Sequence, residues 1–386
     1  MSATALTAPA AAIDASFVAP PTAAELAMQI PVPSTLPPRY DGEPFRHLSA
    51  SSVNLLDACP ESFRRRYLIG EKTAPSGSMF MGSRFDDTYS TFYEHQLKTN
   101  EILELDQLLD VFNDNWKAKL AEEADQLGVE WEGGLDENAG FKMTAQAVGL
   151  AYQQLVPRIG RPLSVQRKLE FKIAPQLDWT IVGYLDLETE RDQILFYDRA
   201  GEILKVDDQV VVQEHGEPEP IFDLPVEGPW FKSKRMKNPR PPEPFPTPAS
   251  RLADRCTRRT VRGITDLKMK NSPFTAYKAK KDLQVSVYLA AKWLAGEPAF
   301  DFRFAQIAKP GERRQEMSTS IVRATRTEDE LRATLVRFAQ YAARIDAYYR
   351  FYGPDRPWPF AGPESWKCDD RFCEAKRTRS CPMAGF

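Results

Sequence analysis

An aspartate and a lysine stand two residues apart in a largely apolar stretch, in the order Asp266-Leu267-Lys268. In a β-strand, side-chain alternation would place Asp266 and Lys268 on one face, about 7 Å apart. Asp186 brings another carboxylate into an earlier apolar stretch. Two carboxylates that converge from adjacent strands form a hard-oxygen site suited to Mg²⁺ or Mn²⁺. The lysine could orient or help deprotonate an attacking water and stabilise charge on a phosphate.

The elements that would position these residues are indicated by the spacing of apolar side chains. Helical spacing and capping residues predict helices over Ser49–Cys59, Gly82–Lys98, Leu105–Leu120, 139–156, Thr275–Ala295 and Leu331–Tyr349. Alternation predicts strands over Leu163–Ile173, Trp179–Leu187, Gln193–Tyr197, Thr260–Met269 and Phe302–Ile307. This order predicts an α/β fold with a mixed central β-sheet of about four or five strands, flanked by helices on both sides.

Composition limits the class of protein. The chain has 386 residues, of which 42% are hydrophobic, so it can bury a substantial core. Fifty-one basic and fifty-four acidic residues give a net charge of −3, which excludes a uniformly cationic DNA binder but not a local basic groove. The sequence has no apolar run of about 18 residues and no basic residue before Arg39. We therefore expect no membrane span, no secretory signal and a cytoplasmic location.

Two segments differ in character from the rest of the chain. Residues 1–40 are rich in Ala and Pro and almost uncharged, which predicts a disordered tail. Residues 200–258 contain a basic, Pro-rich run from Gly228 to Pro248. We interpret 200–258 as an insertion within one domain spanning residues 48–386, rather than as a domain of its own.

The order of several short motifs adds to the evidence of Asp-x-Lys, which alone is more often a pair of surface residues. The motifs are Ser49-x-Ser51, Cys59-Pro60, Gly82-Ser83, a strand with Glu170, Gly183-x-x-Asp186, Asp266-x-Lys268, Gln284-x-x-x-Tyr288 and late cysteines. This succession resembles the RecB-type and CRISPR-adaptation-type exonuclease branch of the PD-(D/E)XK nuclease superfamily. The resemblance covers roughly residues 48–386 apart from the insertion, and it implies a restriction-endonuclease-like fold.

The resemblance also implies roles for individual residues. Metal ligands, a catalytic lysine, a strand glutamate near the site and a helix that contacts DNA all have counterparts in this chain. The catalytic residues would be Asp186, Asp266, Lys268 and Glu170, and the DNA-contacting and supporting residues would be Gln284 and Tyr288.

The chain departs from the family pattern in two places. Asp86 stands where a histidine is usual; because a carboxylate can ligate a hard cation, we expect Asp86 to join Asp186 and Asp266 at Mg²⁺ or Mn²⁺. A long segment separates Asp186 from Asp266, whereas Asp198 lies at the usual hairpin distance but is followed by Arg199 and Ala200 instead of a lysine. Because loop entropy grows only logarithmically with length, we assign the site to Asp266 rather than to Asp198.

The cysteines form a second group of residues that could bind a metal. Cys59 stands far upstream, and Cys368, Cys373 and Cys381 lie within fourteen residues of one another. In the nuclease branch that the chain resembles, one early cysteine and three late ones bind a [4Fe–4S] cluster that staples the two ends of the domain. The resemblance implies this role for the C-terminal segment 366–386. A zinc site made of the same thiolates and unligated cysteines are the alternatives, and Cys256 is expected to be an ordinary thiol.

These observations predict a metal-dependent DNA nuclease, namely an exonuclease of recombination, repair or phage DNA metabolism. The cofactors would be Mg²⁺ or Mn²⁺ and a [4Fe–4S] cluster, in a bacterial or phage-infected cytoplasm. The expected partners are DNA ends or single strands and a helicase or recombination protein, with no membrane. The alternative is a catalytically inactive scaffold of the same fold that binds DNA or a helicase, because Asp86 replaces a usual ligand. A zinc-stabilised nucleic-acid binder is a third possibility.

Overall fold

The computed structural model describes residue 42 and residues 45–131, 133–173, 178–206, 209–224, 245–297, 301–311, 315–362, 364–369 and 373–381. The tail predicted at 1–40 and most of the Pro-rich run 228–248 lie outside these residues. Within them, the helices are α1 (Ala50–Ala58), α2 (Pro60–Phe63), α3 (Gly77–Thr99), α4 (Leu105–Ala124), α5 (Glu137–Gln154), α6 (Val156–Ile159), α7 (Ala249–Leu252), α8 (Ala276–Lys281), α9 (Leu283–Leu294), α10 (Glu328–Tyr352) and α11 (Glu374–Arg377).

The strands form one central sheet and two small hairpins. They are β1 (His47–Leu48), β2 (Arg161–Lys172), β3 (Thr180–Tyr197), β4 (Lys205–Val206), β5 (Gln209–Val210), β6 (Val212–Glu214), β7 (Ile221–Leu224), β8 (Phe245–Pro248), β9 (Arg255–Lys270), β10 (Asp301–Ala308) and β11 (Ser318–Ala324). The central sheet runs β1-β3-β9-β10-β11, with β2 and β6 also paired to β3. Because β1 pairs with β3 and β10 with β9 in parallel, while the other pairs are antiparallel, the sheet is mixed. The α/β fold class is confirmed.

Strand β3 is the central strand of this sheet and pairs with β1, β2, β6 and β9. On one edge it pairs along most of its length with β2 and then with β6. On the other edge it pairs with β1 only at Thr180 and Ile181, and with β9 only from Leu187 onwards. The stretch 182–186 therefore has no strand partner on that edge among the described residues, and a gap opens in the sheet.

Apolar side chains cover both faces of the sheet. The first core packs α1, α9 and α10 against residues such as Ile264 and Phe302, and the second core packs α3, α4 and α5 against residues such as Leu267 and Ile307. Strand β10 sends Phe302 and Phe304 to the first core and Ala305 and Ile307 to the second, as strand alternation requires. Helices thus lie on both sides of the sheet, as predicted. None of the described helices is long and apolar enough to cross a bilayer.

Several predicted boundaries were wrong for identifiable reasons. The strands predicted at 179–187 and 193–197 are one continuous strand. Arg191, which a turn would expose, is buried instead, because its guanidinium donates hydrogen bonds of 2.7 and 2.8 Å to the two carboxylate oxygens of Asp301. The helix predicted at 275–295 is divided at Asp282, whose carboxylate accepts hydrogen bonds from the first N–H groups of α9. Helix α3 begins five residues before Gly82, where Ser76 caps it. Strand β11 was not predicted.

The connection between β3 and β9 explains the long interval between the two aspartates. Tyr197 pairs with Arg255, so residues 198–254 form the connector of one antiparallel pair. The described part of this connector holds β4 to β8 and α7. The last residues of the segment interpreted as an insertion, 255–258, belong to β9.

The two ends of the described chain pack against each other. Glu61, which is 2% exposed, accepts hydrogen bonds from the guanidinium groups of Arg64 and Arg65 and from the backbone N–H of Trp358. Arg65 also donates to the side chain and carbonyl of Ser380. A buried carboxylate with these partners joins α2 to the C-terminal segment.

Glu61→Ala should lower the free energy of unfolding by about 3–5 kcal/mol, because it leaves a buried guanidinium without its carboxylate. The measurement is equilibrium denaturation, with Glu94→Ala as the control. Glu94 is exposed and pairs only with Lys98 one turn away, so its loss should cost about 0.5 kcal/mol or less. Equal costs for the two substitutions would contradict the assigned role of Glu61.

Candidate active site

Asp266 and Lys268 lie where β9 separates from β3. The last paired residues are Leu187 and Thr265, so Asp186 and Asp266 are the first residues beyond the pair on each strand. The Lys268 Nζ atom lies 2.6 Å from Asp266 Oδ1 and 3.3 Å from Asp186 Oδ2. The alternation predicted from the sequence thus places the aspartate and lysine side by side, and the neighbouring strand supplies the second carboxylate.

The Asp266 carboxylate is buried, and its pKa is shifted. Asp266 is 1% exposed, and its Oδ1 atom lies 2.6 Å from the Lys268 ammonium, whereas its Oδ2 atom has no hydrogen-bond partner among the described residues. Burial, opposed by Lys268 and reinforced by Asp186, raises the pKa of Asp266 well above its usual range. A buried carboxylate oxygen without a hydrogen-bond partner is a group that a bound cation could satisfy.

Asp86 approaches the same point from α3. Burial first, and the negative charge of Asp186 second, raise the pKa of Asp86 to about 7, while Lys268 opposes the shift. Burial alone would lower the pKa of Lys268, but the charges of Asp266, Asp186 and Asp86 together raise it above the usual lysine value. The structure therefore brings three carboxylates and one ammonium group together.

The donor set fits a hard divalent cation. Three carboxylates supply only oxygen ligands, which Mg²⁺ and Mn²⁺ prefer, and Oδ2 of Asp266 has no hydrogen-bond partner among the described residues. Among the residues that the structure describes, no three His, Cys, Asp or Glu side chains are arranged as a finished metal site. The ammonium group of Lys268 lies between the Asp186 and Asp266 carboxylates in this arrangement.

A groove of about 660 Å³ begins at Asp186 and follows the gap in the sheet. Strand β3 forms its floor, and its walls come from β1, the first turn of α1, the π-helical turn 64–69 and α9. The lining residues are Phe45, His47, Leu48, Ser49, Ala50, Ser51, Ser52, Arg66, Tyr67, Val182, Gly183, Tyr184, Asp186, Gln284 and Tyr288.

Gln284 and Tyr288 meet at this groove as one helical turn predicts. The Gln284 amide donates a 3.3 Å hydrogen bond to the Tyr288 hydroxyl oxygen. The Tyr288 ring packs against Gly183 so closely that a Cβ at that position would lie 2.5 Å from it. The close approach of this ring is the reason that the Gly-x-x-Asp motif needs glycine at position 183.

The Tyr288 hydroxyl stays protonated beside the acidic site, because burial and the charge of Asp186 raise the pKa of Tyr288 to about 12.

Two other acidic candidates lie apart from this cluster. Glu170 is exposed on β2, where its carboxylate pairs with Lys168 rather than with the lysine of the site. Asp198 follows the far end of β3, twelve residues from Asp186, which is on the order of 40 Å along a strand. Its carboxylate accepts a 3.0 Å hydrogen bond from the backbone N–H of Glu202 and closes a turn. The geometry favours Asp266 over Asp198 as the partner of Asp186.

Sequence reasoning did not single out some residues that the groove contains. His47, Arg66 and Tyr184 line it, and Tyr184 is 50% exposed. Only Arg66 carried a signal, as part of a basic run of three arginines. The other two members, Arg64 and Arg65, bind Glu61 and are structural.

Four cysteines surround one small cavity at the junction of the chain ends. Cys59 lies between α1 and α2, and Cys368, Cys373 and Cys381 come from the C-terminal segment. Burial first, and then the proximity of the other three thiols, raise the pKa of Cys368. None of them forms a disulfide. Cys256 is exposed on β9, away from this cavity.

The wall of this cavity also contains cationic side chains. Arg65, Lys367 and Lys376 contribute to its wall together with Phe360. Four thiolates are a sufficient ligand set for a [4Fe–4S] cluster or for zinc. The four thiols thus match either group in ligand type, although they are not arranged as a finished metal site in the part of the chain that the structure describes.

The mixed sheet, the helices on both faces and the acidic site at a gap between strands define a restriction-endonuclease-like α/β fold. Residues 47–198 match the family model of the PD-(D/E)XK nuclease superfamily. The match covers less than half of the chain, and it agrees with the predicted resemblance at the level of the superfamily. The match includes Asp86, Glu170 and Asp186, and it ends before Asp266 and Lys268.

A crystal structure of a candidate exonuclease from Eubacterium rectale is similar to the chain, with 12% sequence identity and a TM-score of 0.41. The similarity covers 85% of this chain and 87% of that one. No curated protein matches the sequence.

The raised pKa of Asp86 has a consequence for stability. A carboxyl group whose pKa is about 7 in the fold, against about 3.9 when unfolded, stabilises the fold at low pH and loses this contribution as the pH rises through 7. Asp86→Asn cannot ionise, so in metal-free protein it should raise the melting temperature at pH 8 more than at pH 5.

The measurement is thermal unfolding in EDTA at the two pH values. Asp87→Asn is the matched control, because Asp87 is half exposed and pairs with Arg84. A difference between Asp86→Asn and the unmodified protein that does not change with pH would contradict the expected titration.

Proposed function

We propose that this protein is a metal-dependent DNA nuclease that hydrolyses phosphodiester bonds. The observation that carries the proposal is the convergence of Asp86, Asp186, Asp266 and Lys268 where β3 and β9 separate. The family match supports a nuclease, and the groove beside the cluster offers room for a strand of nucleic acid.

Asp86, Asp186 and Asp266 would hold Mg²⁺ or Mn²⁺, which supplies polarisation of the phosphate and activation of a water. Lys268 stays protonated, because the surrounding carboxylates raise its pKa. Its role is therefore to stabilise negative charge on the phosphate and to orient the attacking water, rather than to take up a proton. Gln284 and Tyr288, which are hydrogen-bonded to each other on α9, would line the groove beside Asp186 and contact the substrate there.

The substrate contacts would come from the groove walls. Arg66 supplies a positive charge, and Ser49 and Ser51 stand at the N-terminus of α1, where backbone N–H groups favour anions. The exposed ring of Tyr184 offers a surface on which a base could stack. Exonuclease action, a role in recombination, repair or phage DNA metabolism, and a helicase partner rest on the family resemblance alone.

A catalytically inactive scaffold is the second candidate. The observation that favours it is the position of Lys268 between the carboxylates, together with Asp86 in place of the usual histidine. The two candidates differ in one measurable property: the scaffold binds DNA without cleaving it in either Mg²⁺ or Mn²⁺.

The decisive test of the active site is digestion of end-labelled linear and circular DNA by variants of Asp266, Lys268 and Asp198. Asp266→Asn and Lys268→Ala should each lower the metal-dependent cleavage rate by about 100-fold or more, since each removes a group at the reacting phosphate. Asp198→Asn should cleave like the unmodified protein, because Asp198 closes a distant turn. Loss of cleavage in Asp198→Asn with retention in Asp266→Asn would reverse the assignment.

We further propose that Cys59, Cys368, Cys373 and Cys381 bind a [4Fe–4S] cluster. The convergence of the four thiols on one cavity and the cationic side chains in its wall support this assignment. Zinc at the same thiols is distinguished by its lack of visible absorbance.

Cys381→Ser should remove most of the iron and the absorbance near 400 nm, and should lower the melting temperature, because it removes one of four ligands. Cys256→Ser, at an exposed position near the start of β9, should change neither property. The measurement is iron content of anaerobically purified protein. Iron content that is unaffected by Cys381→Ser would contradict the cluster, and zinc in place of iron would favour the alternative.

A further inference from the structure

Gln166 has a backbone conformation that is uncommon for a residue other than glycine. Gln166 lies in the middle of β2 and has a φ of +46°. This value falls in the left-handed region, which residues with a Cβ atom rarely adopt. The strand register places Gln166 opposite Asp186, because Val165 pairs with Leu187 and Arg167 pairs with Leu185. The distortion therefore stands beside a proposed metal ligand.

At Gln166 and Asp186, the side chains of β2 and β3 also change the core against which they pack. Val165 packs against the second core and Leu169 belongs to the first, although an even spacing would keep them on one face. On β3, Leu187 belongs to the second core and Leu185 to the first. Regular alternation is thus interrupted at Gln166 and at the opposite residue of β3.

This interruption decides where the Gln166 side chain points. In a regular strand Gln166 would face away from the side of Val165, and so away from the second core, to which α3 belongs. Instead its amide reaches α3, where it donates to Asp86 Oδ2 at 3.5 Å and to Ser90 Oγ at 3.1 Å. Asp86 and Ser90 lie one helical turn apart, so the amide spans that turn.

We propose that Gln166 is a positioning residue for the metal site: its amide holds the Asp86 carboxylate, and the left-handed backbone turns that amide towards α3. A neutral amide is suited to this task because it fixes one carboxylate oxygen without adding a positive charge that would compete with a cation. The inference rests on the proposed metal-dependent function and names a residue that motif reading did not identify.

The test compares Gln166→Gly with Gln166→Ala in two measurements, the affinity for Mn²⁺ without DNA and the melting temperature. Both variants lack the amide, so both should bind Mn²⁺ about 10-fold to 100-fold more weakly. Glycine adopts φ +46° without strain, whereas alanine keeps the strain, so Gln166→Gly should melt at the higher temperature of the two. Arg161→Ala, at the exposed start of β2, is the control and should bind Mn²⁺ normally.

Two results would overturn the assignment of Gln166. One is unchanged Mn²⁺ affinity in both variants of a protein that binds Mn²⁺ and cleaves DNA. The other is affinity that follows the melting temperature, with weak binding only in Gln166→Ala, because this would make the role of Gln166 structural. Failure of the unmodified protein to bind Mn²⁺ or cleave DNA would instead contradict the proposed function itself.

Discussion

The separation of β3 from β9 after Leu187 and Thr265 is the constraint on which the rest of the site depends. Two paired strands would use their backbone groups on each other and leave no room between them. Because the pairing stops, Asp186 and Asp266 stand at the edge of a gap that α3 can approach from one side and α9 from the other. Like charges gathered in this way destabilise the fold when ionised, and the two cores on either face of the sheet must outweigh that cost.

Lys268 is the group that makes this concentration of acid tolerable without a cation. Its ammonium contacts both strand carboxylates, and its pKa responds to all three. The same side chain would face a phosphate during catalysis. One residue therefore serves both the stability of the metal-free protein and the proposed chemistry, which explains why a site of this kind can be folded before any ligand arrives.

The sequence predicted the parts of the fold that follow from local periodicity. Asp266 and Lys268 could be placed on one face because a strand has a period of two, and Gln284 and Tyr288 because a helical turn brings residues four apart together. The continuity of β3 could not be predicted, since the polar run around Arg191 is explained only by the distant Asp301. Gln166 carried no signal either, because a left-handed residue within a strand is determined by tertiary packing. Glu170 matched a motif, yet its carboxylate pairs with Lys168 on the surface.

The contact between α2 and the C-terminal segment orders the events of biosynthesis. Cys59 and Glu61 are synthesised about 300 residues before Trp358 and Cys381. During most of translation, the early helices therefore lack the C-terminal residues that cover them in the folded protein. The hairpin of β2 and β3 can form from neighbouring residues, whereas β9 must wait for the connector 198–254 to be made. The nascent chain thus holds Asp86 and Asp186 long before Asp266 and Lys268 emerge, and the acidic centre cannot assemble until β9 has been synthesised.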